Sequence, residues 1–213
     1  MPAAIPRRRI ARWFVWIGIL LIIVGGSWAL HDGIWYRTRT WRPVNQPISL
    51  TVGHIETPKF VVNVEENFAV DLAVDRSVPS DISVNVLGIG DLISQNNEDK
   101  PGFKLAWAVK SGNETVETGI SDGRGEGYWG SATGRRLGFF HAQKNKPYTV
   151  QIDVIEEGSK LAPYHPRLLV HVDLFTLDGY AMGTGIMVLI GEGIGAIGLL
   201  FLIVGAVLHW RSR

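Results

Sequence analysis

Five side chains in the sequence have the chemical types needed for a metal site. His171 and Asp173 form an H-x-D pair on a predicted strand, where alternate residues lie on the same face. Imidazole nitrogen and carboxylate oxygen together suit a transition metal. The spacing lacks a tight H-x-x-x-H motif, and His171 falls between the apolar positions Val170 and Val172, so we expect an ordinary surface residue there and predict no metal, cofactor or catalytic residue. The residues that could join the pair are His141, Asp153 and His165.

A glycine-rich segment, 119–138, is the second candidate. It holds seven glycines and the sequence GEGYWG, a literal G-x-G-x-x-G. A phosphate site of that kind needs a strand before it and a helix after it, and neither is predicted here. We interpret the segment as a mobile loop whose tip either contacts a protein partner, stacks on a sugar, or folds back onto the core. The predicted partner-binding residues are Arg124, Tyr128, Trp129, Arg135 and Arg136.

Glu192 has the most unusual sequence context, because it lies in an apolar run, 186–208, that contains no other charged residue. A similar run, 13–30, contains none at all. A helix over either run is long enough to cross the roughly 30 Å hydrocarbon core of a bilayer. A cleavable signal peptide is the alternative for the first run, although that run exceeds the usual signal core of about 7–15 residues. Inside a bilayer Glu192 would contact another helix, line a proton or ion path, or stay protonated.

The flanks of the second apolar run predict its orientation. Segment 168–185, which precedes the run, contains no Lys or Arg but has Asp173 and Asp178, whereas Arg211 and Arg213 follow the run. Lys and Arg favour the cytoplasmic side of a membrane. We therefore expect both termini in the cytoplasm and the intervening domain outside it, which for a bacterial inner-membrane protein means the periplasm.

These runs divide the chain into predicted segments. The terminal tails are 1–11 and 209–213, and the membrane-spanning helices are 12–31 and 186–208. A juxtamembrane linker, 32–44, leads into an extracytoplasmic domain, 45–180.

Small residues recur on one face of each predicted helix. In lipid, small residues let two helix backbones approach closely. If the two outer ends are level, facing residues of an antiparallel hairpin have numbers that add up to 216, which places Gly25 opposite Gly191 and brings Ser27 near Glu192. Alternatively, the same stripes serve a homo-oligomer or a foreign helix. The predicted helix contacts are Ala11, Gly18, Gly25, Ser27, Gly191, Glu192, Gly195, Gly198 and Gly205.

Between the two apolar runs, apolar and polar residues alternate with a period of two. Short strands separated by Gly, Pro, Asn and Asp turns predict an all-β domain, an antiparallel β-sandwich of jelly-roll or immunoglobulin-like topology. No part of this domain shows a convincing helical stripe. The clearest predicted strands are 68–74, 82–86, 103–109, 148–154 and 168–174, and shorter candidates are 48–52, 59–64, 115–118 and 137–141.

Composition narrows the possible functions. The sequence contains no cysteine, which excludes disulfides, thiolate metal sites and cysteine nucleophiles. A formal net charge of +1 argues against nucleic-acid binding. We therefore expect a non-enzymatic accessory or scaffold subunit of a bacterial envelope membrane complex, in contact with the lipid bilayer and with other membrane subunits or further copies of itself. A membrane-tethered ligand-binding module, for example for glycans, is the alternative.

Overall fold

The structure is a computed structural model that describes residues 7–89, 102–121 and 125–211. Two long apolar helices at the ends of the chain flank an antiparallel β domain that contains two sheets. The chain divides into two compact units. One unit contains the terminal helices, Met1–Thr38 with Leu177–Arg213, and the other is the β domain, Arg39–Thr176.

The terminal helices, α1 (Arg7–Arg39) and α3 (Leu174–Trp210), are each long and apolar enough to cross a membrane. Both extend beyond the apolar runs. The predicted linker 32–44 is helical as far as Arg39, because no proline interrupts the chain before Pro43. Likewise, α3 begins at Leu174 rather than at residue 186, so the last residues of the predicted domain 45–180 belong to this helix.

The β domain consists of two antiparallel sheets. The first has the strand order β1-β10-β4-β8-β7, and the second has the order β2-β9-β5-β6 with the short β3 paired to β9. The strands are β1 (Val44–Pro47), β2 (Gly53–Glu56), β3 (Phe60–Val61), β4 (Glu66–Asp75), β5 (Lys104–Ser111), β6 (Glu114–Ser121), β7 (Gly127–Trp129), β8 (Ala132–Ala142), β9 (Pro147–Glu156) and β10 (Arg167–Val172). A short α2 (Ser80–Asn85) follows β4, and a 3₁₀-helix (Ser159–Tyr164) precedes β10.

The core is formed by the apolar side chains that alternate with other residues along the long strands. In β4 every residue from Phe68 to Val74 is buried, and alternate positions from Phe68 to Val74 carry the large apolar side chains that face the core. Phe140 of β8 and Tyr148 of β9 join the two sheets, with ring centroids 5.4 Å apart. Gly138 of β8 has no room for a side chain, because the Trp107 indole of β5 occupies that space. The inner faces of both sheets therefore share one core.

Three predicted strands are wrong or displaced. Segment 82–86 lies mostly in α2, where Ser83, Val86 and Leu87 are buried at helical rather than strand spacing. Segment 48–52 lies between β1 and β2. Its buried residues are each held by a single backbone hydrogen bond. The Ile48 amide donates to the Pro166 carbonyl, and the Leu50 carbonyl accepts from the Gly158 amide. Segment 59–64 forms only the two-residue β3.

The glycine-rich segment is a β-hairpin rather than a loop in its described part. Strands β7 and β8 pair in register, Gly127 with Arg135 and Trp129 with Thr133. Gly134 and Gly138 allow close packing, because the Tyr128 ring covers Gly134 and the Trp107 indole covers Gly138. Glycine is required there because no side chain fits, which is a different reason from backbone freedom. Residues 122–124 of the predicted loop lie outside the described residues.

Candidate functional site

A cluster of polar residues lies on the face of the first sheet that points away from the core. Its central residue is Asp71 of β4, which projects opposite to its core-facing neighbours Val70 and Leu72. Register places Arg136 of β8 directly beside Asp71. We call the following residues the polar cluster: Asp71, Glu126, Tyr128, Arg136, His171 and Asp173.

Asp71 and His171 form a buried pair within the polar cluster. Nε2 of His171 lies 2.8 Å from Oδ2 of Asp71, and Nδ1 lies 2.7 Å from the carbonyl oxygen of Val172. A carboxylate and a carbonyl both accept hydrogen bonds. Nδ1 of His171 therefore donates its hydrogen to the Val172 carbonyl, while Nε2 faces the Asp71 carboxylate.

The expectation that His171 is a surface residue is wrong. Strand alternation does place it on the face away from the core, but only 3% of the residue is exposed. The aromatic ring of Tyr128 stands perpendicular to the imidazole, with ring centroids 6.4 Å apart, and covers part of this face. Alternation predicts which face a side chain occupies, whereas burial depends on what packs over that face.

Arg136 links the three carboxylates of the polar cluster. Its Nη1 donates to Glu126, its Nη2 lies 3.1 Å from Oδ1 of Asp173, and its Nε lies 3.7 Å from Oδ1 of Asp71. Its guanidinium also lies 4.3 Å from the centre of the Phe139 ring. Buried charges are stable only when paired in this way. Arg136 is therefore buried and ion-paired, as in the alternative where the segment folds back, and its partner-binding role stays a prediction.

Tyr128 lies on β7 and covers one side of the polar cluster. Burial of its phenol, together with the nearby Asp71 carboxylate, raises the pKa of Tyr128 above its ordinary value, although Arg42 and Arg136 act in the opposite direction. The phenol is consequently neutral at physiological pH. It serves as an uncharged cover over Asp71 and His171.

The remaining residues of the predicted partner-binding loop point in different directions. Arg135 is buried, donates from Nη1 to the carbonyl of Leu87 at 3.2 Å, and has its guanidinium 5.5 Å from the Phe103 ring. Trp129 is 65% exposed. Arg124 lies outside the described residues. Thus Tyr128 and Arg136 meet in the polar cluster, whereas Arg135 and Trp129 do not join it.

The five candidate metal ligands do not form one cluster in the described residues. Asp153 pairs with His54 at 2.7 Å, and His165 pairs with Asp75 at 2.6 Å. His141 contacts the Asn67 side chain at 3.1 Å. Within the described residues there is no group of three or more side chains that could hold a metal ion.

The helical unit brings the predicted small residues together. A Cβ added at Gly18 would lie 2.7 Å from the carbonyl oxygen of Gly198, and one added at Gly191 would lie 3.0 Å from that of Gly25. A Cβ at Gly205 would lie 3.1 Å from the carbonyl oxygen of Ala11. These are the pairs whose numbers add up to 216. We call this line of small residues between the two helices the glycine seam. Gly195 also belongs to it, because its backbone lies beside Gly25.

No hydrogen bond joins Ser27 and Glu192 in the part of the chain that the structure describes. Both residues are exposed. Glu192 follows the seam residue Gly191 by one position, so its side chain lies about 100° further round the helix. Among the described residues, no ion pair or hydrogen bond holds the Glu192 carboxylate.

Asp71, the central residue of the polar cluster, was not predicted from the sequence. The signal was present, because Asp71 is an acid at the centre of the otherwise apolar stretch FAVDLAV. An acid in a strand whose neighbours are all buried needs a partner, and the H-x-D pair of β10 supplies one.

Comparison with known proteins adds little to this picture. No family model and no curated protein matches the chain. A crystal structure of a protein from Sulfurospirillum deleyianum is similar over 62% of this chain and 97% of that chain, with 14% sequence identity and a TM-score of 0.44.

Proposed function

We propose that this protein is a non-enzymatic accessory or scaffold subunit of a membrane-protein complex in a bacterial envelope. In this proposal α1 and α3 cross the inner membrane, both termini are cytoplasmic, and the β domain is a periplasmic antiparallel β-sandwich. The observation that carries the proposal is the exposure of Glu192, the one charged residue within the apolar run 186–208 of α3. An acid at that position is costly in lipid unless another protein covers it.

The glycine seam supports membrane insertion of the two helices as a pair. There is little hydrophobic drive between helices in lipid, so close backbone approach supplies the association energy. Gly18 and Gly25 permit that approach to Gly198 and Gly191. In the hairpin, α1 therefore covers one face of α3. The face that carries Glu192 remains open to another molecule.

The polar cluster supports a structural rather than a catalytic role for the β domain. His171 uses both ring nitrogens, and Arg136 faces three carboxylates, so neither side chain is left to act on a substrate. Such a network fixes the positions of β4, β8 and β10 relative to one another. A rigid sheet of this kind is suited to presenting a constant docking surface.

Extraction of the full-length protein from its native membranes tests the proposal. We expect the chain to resist alkaline carbonate extraction and to purify in mild detergent with a stoichiometric membrane-protein partner. A reporter that fluoresces only in the cytoplasm, fused after Arg213, should fluoresce. Release by carbonate, or purification of the chain alone, would contradict the proposal, and a silent but expressed fusion would contradict the orientation.

A ligand-binding module is the second candidate, favoured by one feature of the second sheet. A polar groove of about 520 Å³ lies beside β9 and is lined by Glu56, Lys59, Lys110, Asn113 and Gln151 among others. Amides and charged groups of this kind can hydrogen-bond to sugar hydroxyls. Shifts of backbone amide resonances around this groove on addition of envelope glycans would favour this candidate over the first.

A further inference from the structure

We infer that Glu192 is the docking point for a transmembrane helix of a different protein, one that carries a Lys, Arg or His side chain at the same depth. The inference rests on the proposed function, because it requires α3 to cross a membrane. It adds the chemistry of the partner and the face of α3 that the partner contacts.

Glu192 lies on a continuous exposed face of α3, which we call the Glu192 face. Its residues are spaced alternately by four and three positions, which is the spacing of helices that pack side by side in a left-handed pair. Small residues lie on this face to either side of the acid, and the space around Gly185 is open. The Glu192 face consists of Gly185, Leu189, Glu192, Ala196, Leu199 and Ile203, all of them exposed.

The position of Glu192 makes exposure to lipid unfavourable. If the apolar run begins at Ile186, the acid lies about 9 Å below the outer edge of the hydrocarbon by helical rise. A carboxylate at such a depth costs a few kcal/mol in lipid. Anionic lipid headgroups cannot compensate for it, because they carry charge of the same sign. A cationic side chain on a neighbouring helix compensates for it directly.

The apolar runs of the chain's own helices do not contain such a cation. Residues 13–30 contain no Lys, Arg or His, and neither do residues 186–208. A second copy that packed on the Glu192 face would therefore place the acid against apolar groups, against a hydroxyl or indole group, or against another Glu192. Charge complementarity requires a different chain.

α1 does not cover the Glu192 face either. It contacts α3 through Gly191, Gly198 and Gly205, which are buried, whereas Leu189 is 69% exposed and Leu199 is 54% exposed. The two faces of α3 are adjacent but distinct. α1 and the foreign helix can therefore bind α3 at the same time.

Site-specific photocrosslinking in native membranes tests this inference. A photoreactive amino acid at Leu189 should give one major adduct with another protein, and the crosslinked peptide should carry Lys, Arg or His within one helical turn of the crosslink. The matched control is the same probe at Ile197, which is 51% exposed on another side of α3 and should not give that adduct.

Substitution of the acid separates charge pairing from simple packing. Glu192→Gln keeps the size of the side chain, and we expect it to lower the yield of the Leu189 adduct at least tenfold. Exchanging the charges, with Glu192→Lys in this chain and Glu in place of the partner's basic residue, should restore the adduct. An adduct unchanged by Glu192→Gln, a Leu189 adduct with a second copy, or labelling of lipid alone would overturn the inference.

The outcome also separates this inference from the proposed function. If the chain purifies with a stoichiometric membrane partner that crosslinks at Ile197 and not at Leu189, the proposed function stands and the inference fails. If alkaline carbonate releases the chain from the membrane, both fail, and that result appears before any crosslink is attempted.

Discussion

His171 of β10 lies with its Nε2 2.8 Å from Oδ2 of Asp71 on β4, and both side chains are almost completely buried. The pair connects two neighbouring strands of the first sheet on the face opposite the core. Arg136 lies on the other side of Asp71, so this single carboxylate faces an imidazole and a guanidinium group. The β domain thus has a buried, paired polar cluster on the sheet face where solvent-exposed side chains would ordinarily lie.

Removal of the Asp71 carboxylate should destabilise the protein strongly. Asp71→Ala leaves His171 and Arg136 buried without their shared partner, and breaking a buried pair typically costs about 3–5 kcal/mol. Chemical unfolding of the full-length protein in detergent, followed by near-ultraviolet circular dichroism, measures the change. Asp153→Ala is the matched control, because its partner His54 is exposed, and we expect a loss below about 1 kcal/mol. Equal losses for the two variants would show that the buried pair has no special role.

The pH dependence of stability should reveal Tyr128. Burial raises the pKa of its phenol, so the folded protein keeps this proton where the unfolded chain, with a tyrosine pKa of about 10, has lost it. This contribution to stability is therefore complete below about pH 10 and is lost as the pH rises further. Tyr128→Phe should show a shallower alkaline loss in the unfolding midpoint. Superimposable alkaline profiles would contradict the assignment.

Position 138 should require glycine, because there is no room for a side chain there. The methyl group of Gly138→Ala would overlap the Trp107 indole, and overpacking of a core typically costs about 1–3 kcal/mol. Gly130→Ala is the control, since no atom lies within 4 Å of the added carbon. Thermal unfolding should show a lower midpoint for the first variant and little change for the second. The reverse order would contradict the packing described.

A disulfide should form between the helices at Ala29 and Gly191. A Cβ at Gly191 lies 3.6 Å from the Cβ of Ala29, within the range of about 3.5–4.5 Å found in disulfides. Because the sequence has no cysteine, the double variant contains only this pair. Oxidation should give an intramolecular bond, seen as a faster-migrating monomer on a non-reducing gel. The pair Gly26→Cys with Gly191→Cys is the control and should stay reduced, because no atom lies within 4 Å of a carbon added at Gly26. A crosslink only between chains would contradict the hairpin.

The parts of the structure that sequence predicted best depend on periodicity. Alternation identified β4, β9 and β10 because each has one face in a core, and the seam of Gly25 and Gly191 followed from helical spacing. Periodicity could not show that Tyr128 packs over His171, since the two residues are far apart in the chain. It also misassigned segment 82–86, where a short apolar segment fits a helix and a strand equally well.

The glycine-rich segment shows a second limit of sequence reasoning. Glycine is compatible with a flexible turn and with a position where a ring leaves no space, and composition does not distinguish these cases. The positions of the Tyr128 and Trp107 rings show that these rings leave no space for a side chain. In the same way, the sequence does not show that three carboxylates surround Arg136.

Native mass spectrometry of the protein extracted from its own membranes tests the central claim most directly. The account predicts one chain of 23.5 kDa bound to a different membrane protein, and loss of that protein in the Glu192→Gln variant. A species of 23.5 kDa alone, a whole-number multiple of that mass, or a complex unaffected by Glu192→Gln would contradict the claim that Glu192 docks a foreign helix.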